Sequence, residues 1–218
     1  MTPAEQSRRA AEICALAPVV PVLVLRDAAH AAPLAQALVA GGLPALEVTL
    51  RTPVALDAIR AMAAVPGGVV GAGTLLTPED VAAAKAAGAQ FGVSPGATPR
   101  LLAAAQEVGL PLLPGAATAS EVMALLERGY SVQKFFPAES AGGAAAVKAL
   151  GGPLPQVRFC PTGGITPGLA PGYLGLANVL CVGGSWVAPD ALVAAGDWAA
   201  ITRLAREAAA LSPRTRSK

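Results

Sequence analysis

The chain has 218 residues, a net charge of +2, 54% hydrophobic residues and only 14% charged ones. An ordinary domain is roughly 25% charged, so a disordered chain is excluded and other subunits are expected to cover part of the apolar surface. The near-neutral balance gives no basic footprint for nucleic acid, and the single histidine, His30, is too few for a histidine metal cluster.

Short β-rich runs alternate with Ala-rich helical stretches along the whole chain. A short N-terminal helix precedes a strand at Val19–Leu25 and a helix at Ala29–Ala40, where His30 reads as part of a surface helix start. Strand two, Ala45–Leu50, is followed by helix Pro53–Ala64, and strand three, Val69–Ala72, by helix Pro78–Ala87. Strand four, Phe91–Ser94, leads to helix Thr98–Val108, and strand five, Pro111–Pro114, to helix Ser120–Arg128. Strand six, Val132–Phe136, leads to helix Ala141–Leu150. Strands seven and eight are Val157–Pro161 and Val179–Val182, and helix Asp197–Leu211 ends the series.

Local signals agree with this reading. Thr52, Thr77 and Thr98 each precede a proline, the N-cap pattern of a helix start. Gly41, Gly88, Gly109 and Gly129 fall where a left-handed residue closes a helix. Eight β-then-α units of steady length predict an α/β fold, a (β/α)8 TIM barrel. The domain is expected over residues 1–211, with a basic, flexible tail at 212–218. A doubly wound sheet would carry a glycine fingerprint after strand one, but that turn reads Arg26-Asp27-Ala28-Ala29.

Composition also bounds the setting. Cys14, Cys160 and Cys181 form no CxxC pair, so neither a zinc ribbon nor a redox motif is supported. Cys160 and Cys181 read as buried, reduced core residues. The first residues lack a signal-peptide layout, and the run Ile13–Leu25 is too short for a membrane span and broken by prolines. A cytoplasmic, non-membrane protein is expected.

In such a barrel the chemistry lies at the C-terminal strand ends. Lys134 is the only lysine on a strand, since Lys85 and Lys148 fall on helices and Lys218 is terminal. Between Val132 and Phe136 its ammonium is disfavoured by burial, which suits a nucleophilic amine that forms a Schiff base with a ketone. The alternative is a lysine that caps the barrel and pairs with Glu47. Glu47 shares a strand face with Thr49 and Arg51. Arg51 can hold a carboxylate with two parallel hydrogen bonds and Glu47 can move protons, or the two can form a stabilising ion pair. Gly163-Gly164 and Gly183-Gly184-Ser185 follow strands seven and eight, where barrels bind phosphate.

Several segments together resemble the 2-keto-3-deoxy-6-phosphogluconate aldolase family, the class I aldolases of the Entner–Doudoroff pathway. They include Glu47-Val-Thr-Leu-Arg-Thr, Gly71-Ala-Gly-Thr, Ser94-Pro-Gly, Lys134-Phe-Phe-Pro-Ala-Glu, Pro161-Thr-Gly-Gly-Ile and Gly183-Gly-Ser-Trp, in family order over nearly the whole chain. The resemblance implies a homotrimeric barrel that needs no metal and no cofactor. It implies cleavage of the phosphorylated six-carbon 2-oxo acid to pyruvate and glyceraldehyde 3-phosphate. Lys134 would form the Schiff base and Glu47 would shuttle protons. Arg51 and Thr74 match the carboxylate-binding groups, Gly163, Gly164 and Ser185 the phosphate cradle, and Pro95, Phe136 and Thr162 the pocket wall. Ala116-Ala117 departs from the bulkier residue and serine common at that place, which bears on the pocket wall. The family also acts on 4-hydroxy-2-oxoglutarate and, in related members, on the galactonate epimer. Other readings are a phosphate-binding barrel isomerase or decarboxylase, in which Lys134 acts only by its charge, and a non-catalytic metabolite-binding barrel.

Overall fold

Polar side chains set where the helices begin. Thr2, Thr77 and Thr118 each accept a backbone N–H three residues on, while Glu5, Asp80 and Glu121 accept the threonine N–H in return. Such reciprocal capping boxes satisfy two otherwise orphaned donors. Thr98 caps its helix by accepting from Leu101 N at 3.2 Å.

The computed structural model describes residues 1–211; the expected tail at 212–218 lies outside the described residues. In chain order the elements begin with α1 (Pro3–Cys14), β1 (Val19–Leu23), a 3-10 turn (Ala28–His30), α2 (Ala31–Ala40), β2 (Ala45–Thr49) and α3 (Ala55–Ala63). They continue through β3 (Val69–Gly73), α4 (Pro78–Ala86), β4 (Phe91–Val93), α5 (Pro99–Glu107), β5 (Leu112–Leu113), β6 (Gly115–Ala116) and α6 (Ala119–Glu127). The last are β7 (Val132–Phe135), α7 (Gly143–Leu150), β8 (Arg158–Pro161), α8 (Ala170–Leu174), β9 (Val182–Gly184), α9 (Asp190–Ala195) and α10 (Trp198–Ala209).

The strands close a parallel barrel. One sheet runs β5-β4-β3-β2-β1-β9 and the other β6-β7-β8. The first seam lies at Pro114, which has no N–H to donate; the expected fifth strand, Pro111–Pro114, holds only β5, and β6 follows beyond its end. Its carbonyl still accepts from Lys134 N at 2.8 Å. The second seam is joined by the parallel bridges Phe159–Val179 and Thr162–Gly183. The expected eighth strand at Val179–Val182 therefore contributes one bridge early and runs as β9 further on. There Gly183 and Gly184 have room only for hydrogen, because a Cβ would strike the Thr162 side chain and the Trp186 ring.

Two other expectations need correction. Thr52 does not cap α3, which begins at Ala55; its hydroxyl donates to Leu25 O at 2.6 Å instead. Gly41 is right-handed, and the left-handed residue closing α2 is Gly42, with φ 91°. Gly41 is small because α10 crosses there, and a Cβ would run into Ala205.

Helix α1 is where the fold departs most from a bare β/α repeat. Its buried Ala10 and Cys14 pack with Val20, Phe91, Leu113 and Cys160, so it plugs the N-terminal end of the barrel. Gln6 Oε1 accepts from Leu112 N at 3.2 Å and Tyr130 OH at 3.3 Å, and Ser7 Oγ accepts from Ser131 N at 3.0 Å. These bonds satisfy strand-end donors that the plug would otherwise strand away from water. Among the described residues, no helix is long and apolar enough to cross a membrane.

Candidate active site

Strand alternation puts Lys134 inside the barrel. On β7, Gln133 and Phe135 face the helices: Gln133 Nε2 donates to Val122 O at 3.1 Å and Tyr130 O at 2.9 Å, and Phe135 packs edge-on against Phe159. Val132 and Lys134 consequently point inward. On β2 the same rule sends Leu46 and Val48 outward into the helix layer and Glu47 inward.

The two meet across the barrel. Lys134 Nζ lies 3.4 Å from Glu47 Oε1, and the side chains are only 5% and 4% exposed. The ammonium also rests 5.0 Å from the centre of the Phe136 ring, within cation–π range. Burial pushes the Glu47 carboxyl above its usual range, opposed by the charges of Lys134 and Arg51. Glu47 has this space because residue 73 is glycine; a Cβ there would collide with its carboxylate.

A cleft of about 380 Å³ opens on the side of Phe136, the ring that the Lys134 ammonium approaches; Lys134 and Glu47 themselves do not line it. Arg51, Phe136, Thr162, Gly163, Gly164 and Ser185 line it, so six of the expected site residues share one cavity. Gly163 and Gly164, at φ 108° and 77°, turn the chain tightly over Pro137–Glu139. The turn is pinned by Ala138 N to Thr162 O at 2.8 Å and Glu139 N to Gly163 O at 3.1 Å. Thr162 is buried against Gly183. Arg51 reaches the cleft from beyond the end of β2, while Thr49, expected on the same face, donates its hydroxyl to Leu23 O at 2.9 Å and stitches β2 to β1.

Thr74 and Pro95 sit at the same C-terminal barrel face, after β3 and β4, but do not line this cleft. Thr74 has φ 61° and is the only non-glycine among the described residues with a left-handed backbone. For a β-branched side chain this is a genuine outlier, the kind of strain that clusters at functional sites. Ala116 is buried on β6, and Ala117 N donates to Glu121 Oε2 at 2.9 Å, so the departure from the family pattern feeds the cap of α6.

Sequence reasoning gave no role to three cleft neighbours. Arg26 and Asp190 line the mouth and approach to 3.8 Å, exposed enough that the pair adds little stability. Arg26 was legible only as a cation directly after the first strand. Tyr173 donates to Glu139 behind the glycine turn, and burial together with that carboxylate pushes the phenol strongly up. A larger groove of about 580 Å³ opens beside α1 and contains none of the inward catalytic candidates.

A buried amine touching a buried carboxyl, one aromatic ring away from a cleft with a guanidinium and glycine N–H groups, is suited to imine chemistry on an anionic 2-oxo acid. Comparison with known proteins leads to the same class. A solved 2-keto-3-deoxy-6-phosphogluconate aldolase of Zymomonas mobilis ZM4, with 3-phosphoglycerate, superposes with a TM-score of 0.91 and 53% identity, covering 94% of this chain and 97% of that one. A Legionella pneumophila KDPG aldolase, with pyruvate captured as a covalent carbinolamine, gives 0.89 and 47%, covering 91% and 97%. The fold and site thus define a carbon–carbon lyase on a TIM-barrel-like frame. Residues 10–204 match the family model "KDPG and KHG aldolase". The Escherichia coli K12 KHG/KDPG aldolase is 54% identical over 200 residues, covering 91% of this chain and 94% of its own. The chain belongs to the KDPG and KHG aldolase family.

Proposed function

We propose that the chain is a class I aldolase that reversibly cleaves 2-dehydro-3-deoxy-6-phosphogluconate to pyruvate and glyceraldehyde 3-phosphate, with Lys134 as nucleophile. The observation that carries this reading is the buried Lys134–Glu47 contact at 3.4 Å, joined to the cleft through the Phe136 ring. The Lys134 amine adds to the C2 carbonyl, giving a carbinolamine, and loss of water gives the iminium. The C4 hydroxyl then loses its proton and the C3–C4 bond breaks. Its electron pair moves into the iminium, leaving an enamine and releasing the aldehyde. Protonation at C3 and hydrolysis free pyruvate and Lys134.

Glu47 is the proton carrier, and burial, by raising its pKa, favours a carboxyl that can hold a proton as well as take one. Arg51 and Thr74 hold the carboxylate. Gly163, Gly164 and Ser185 hold the phosphate, Phe136 and Thr162 form the cleft walls, and Pro95 bounds the substrate from the same barrel face outside the cleft. The reaction draws on no metal or cofactor. Three free, buried thiols support a reducing compartment, the cytoplasm. Exposed Leu76, Met123 and Leu169 support a homotrimer that covers apolar surface.

A second reading concerns the substrate. The Escherichia coli relative is named for both KHG and KDPG, so 4-hydroxy-2-oxoglutarate is a candidate alongside the galactonate epimer. Pyruvate release from all three, by wild type and Ser185→Ala, separates them. A hydrogen bond to a charged group contributes roughly 1.5–3 kcal/mol, so kcat/KM for the phosphorylated substrates is expected to fall about 10- to 150-fold in the variant. Activity on 4-hydroxy-2-oxoglutarate is expected to be unchanged. Equal losses on all three would contradict phosphate recognition at Ser185.

A further inference from the structure

Cys14, Cys160 and Cys181 come from the end of α1, from β8 and from the residue before β9. They are far apart in sequence, yet their Sγ atoms all lie within 4.8 Å of one another. All three thiols are free, and the residues are at most 3% exposed. The proposed aldol chemistry uses none of them.

We propose that these three sulfurs form a binding site for a thiophilic d10 cation, of the zinc or cadmium class, on the floor of the barrel. A metal equidistant from three thiolates at about 2.3 Å sets sulfur–sulfur separations of about 4.0 Å. The observed limit of 4.8 Å is close to that triangle without rearrangement of any strand. The surroundings select for softness and charge. Most packed neighbours are apolar, among them Ala10, Val20, Phe91 and Leu113; the oxygens nearby are Thr162 Oγ1, 3.9 Å from Cys160 Sγ, and Glu47, which lines the same small cavity, too few for a hard oxygen-preferring ion. Each thiol gives up its proton to solvent as its sulfur–metal bond forms. A divalent ion then leaves a single net negative charge. A monovalent ion would leave two beside the buried Glu47, so the divalent class is favoured.

The site is also placed to be felt by the active site. Cys160 is the register partner of Lys134 on the neighbouring strand. Cys14 arrives only because α1 plugs the barrel, so the site exists in the docked fold and not in the separated strands.

The test is cadmium titration of the reduced, native protein, read by the ultraviolet thiolate-to-cadmium charge-transfer band. One saturable ion per chain is expected. Outer-sphere partners alone cost roughly 10–100-fold in metal affinity, so removing a direct ligand in Cys14→Ala is expected to loosen cadmium by at least about 100-fold. Pyruvate release by Cys14→Ala at the wild-type rate would show that this variant is folded; should it lose activity, Cys181→Ala takes its place. Absence of the band in wild type, or an unchanged affinity in the folded variant, would overturn the proposal.

Discussion

A β-branched side chain at φ 61° is disfavoured by roughly 1–3 kcal/mol, so Thr74 is held where it is by something other than its own preference. Thr74→Gly removes the strain and adds only about 0.4–1 kcal/mol of unfolded-chain entropy. The variant is expected to melt no lower than wild type, and up to several degrees higher, while KM for pyruvate in the condensation direction rises. A lower Tm would mean that the Thr74 side chain stabilises the fold outright. Glu47 yields a second prediction. Its carboxyl binds a proton more tightly folded than unfolded. Its contribution is therefore fully present below the ordinary carboxylate range and is lost as pH rises through the raised value. Glu47→Gln is expected to remove that loss from the pH dependence of unfolding and to remove the acid limb from the kcat profile. An unchanged acid limb would assign that titration to another group. At this scale Lys134 was legible because lysine is rare and only one falls on a strand. Arg51 was legible in type, although it reaches the cleft from beyond β2 rather than along it. The strain at Thr74 and the space that Gly73 leaves for Glu47 depend on neighbouring backbone, which no single segment encodes.

Among the elements, helices declared themselves best where a capping threonine and a proline coincide. Thr77 and Thr98 behave that way, whereas Thr52 has the same local pattern but is captured by Leu25 O on the neighbouring strand end. Tertiary hydrogen bonding overrides the local signal there. Helices α8 and α9 span only five and six residues, too few turns for an apolar period to emerge. The seam at Pro114 was likewise hidden, because a proline within an apolar run does not say which neighbour will keep the ladder intact. The caps lead to a stability prediction. Thr118 accepts from Glu121 N, and its own N–H and hydroxyl are both taken up by the Glu121 carboxylate. Thr118→Ala is expected to cost about 0.5–2 kcal/mol. At roughly 2–4 °C per kcal/mol for a chain of this size, Tm falls by about 1–8 °C. Scanning calorimetry checks this shift, and by the same measurement Thr52→Ser, which keeps the hydroxyl bond to Leu25 O, is expected to stay near wild type.

For the whole molecule, the low charge and apolar excess have two destinations. Most of the apolar side chains fill a barrel core and a plug, from Ala10 to Ala208. The remainder includes exposed Leu16, Leu76, Met123 and Leu169, and the proposed trimer gives such surface a partner. Sedimentation velocity at micromolar concentration is expected to report three times the 21.5 kDa chain mass; a monomer under those conditions would contradict the trimer. Barrel and site were legible together because the β/α rhythm assigns each polar residue to a strand end. The convergence of the three cysteines was not, since it needs α1 docked inside the closed ring. The central claim is that Lys134 forms a covalent imine with the pyruvyl carbonyl. Borohydride reduction in the presence of pyruvate, followed by peptide mass analysis, tests it most directly. The reduced pyruvyl adduct is expected on Lys134 in stoichiometric yield and to be absent in Lys134→Met. Absence of any adduct in wild type, or its appearance on Lys85 or Lys148, would contradict the mechanism.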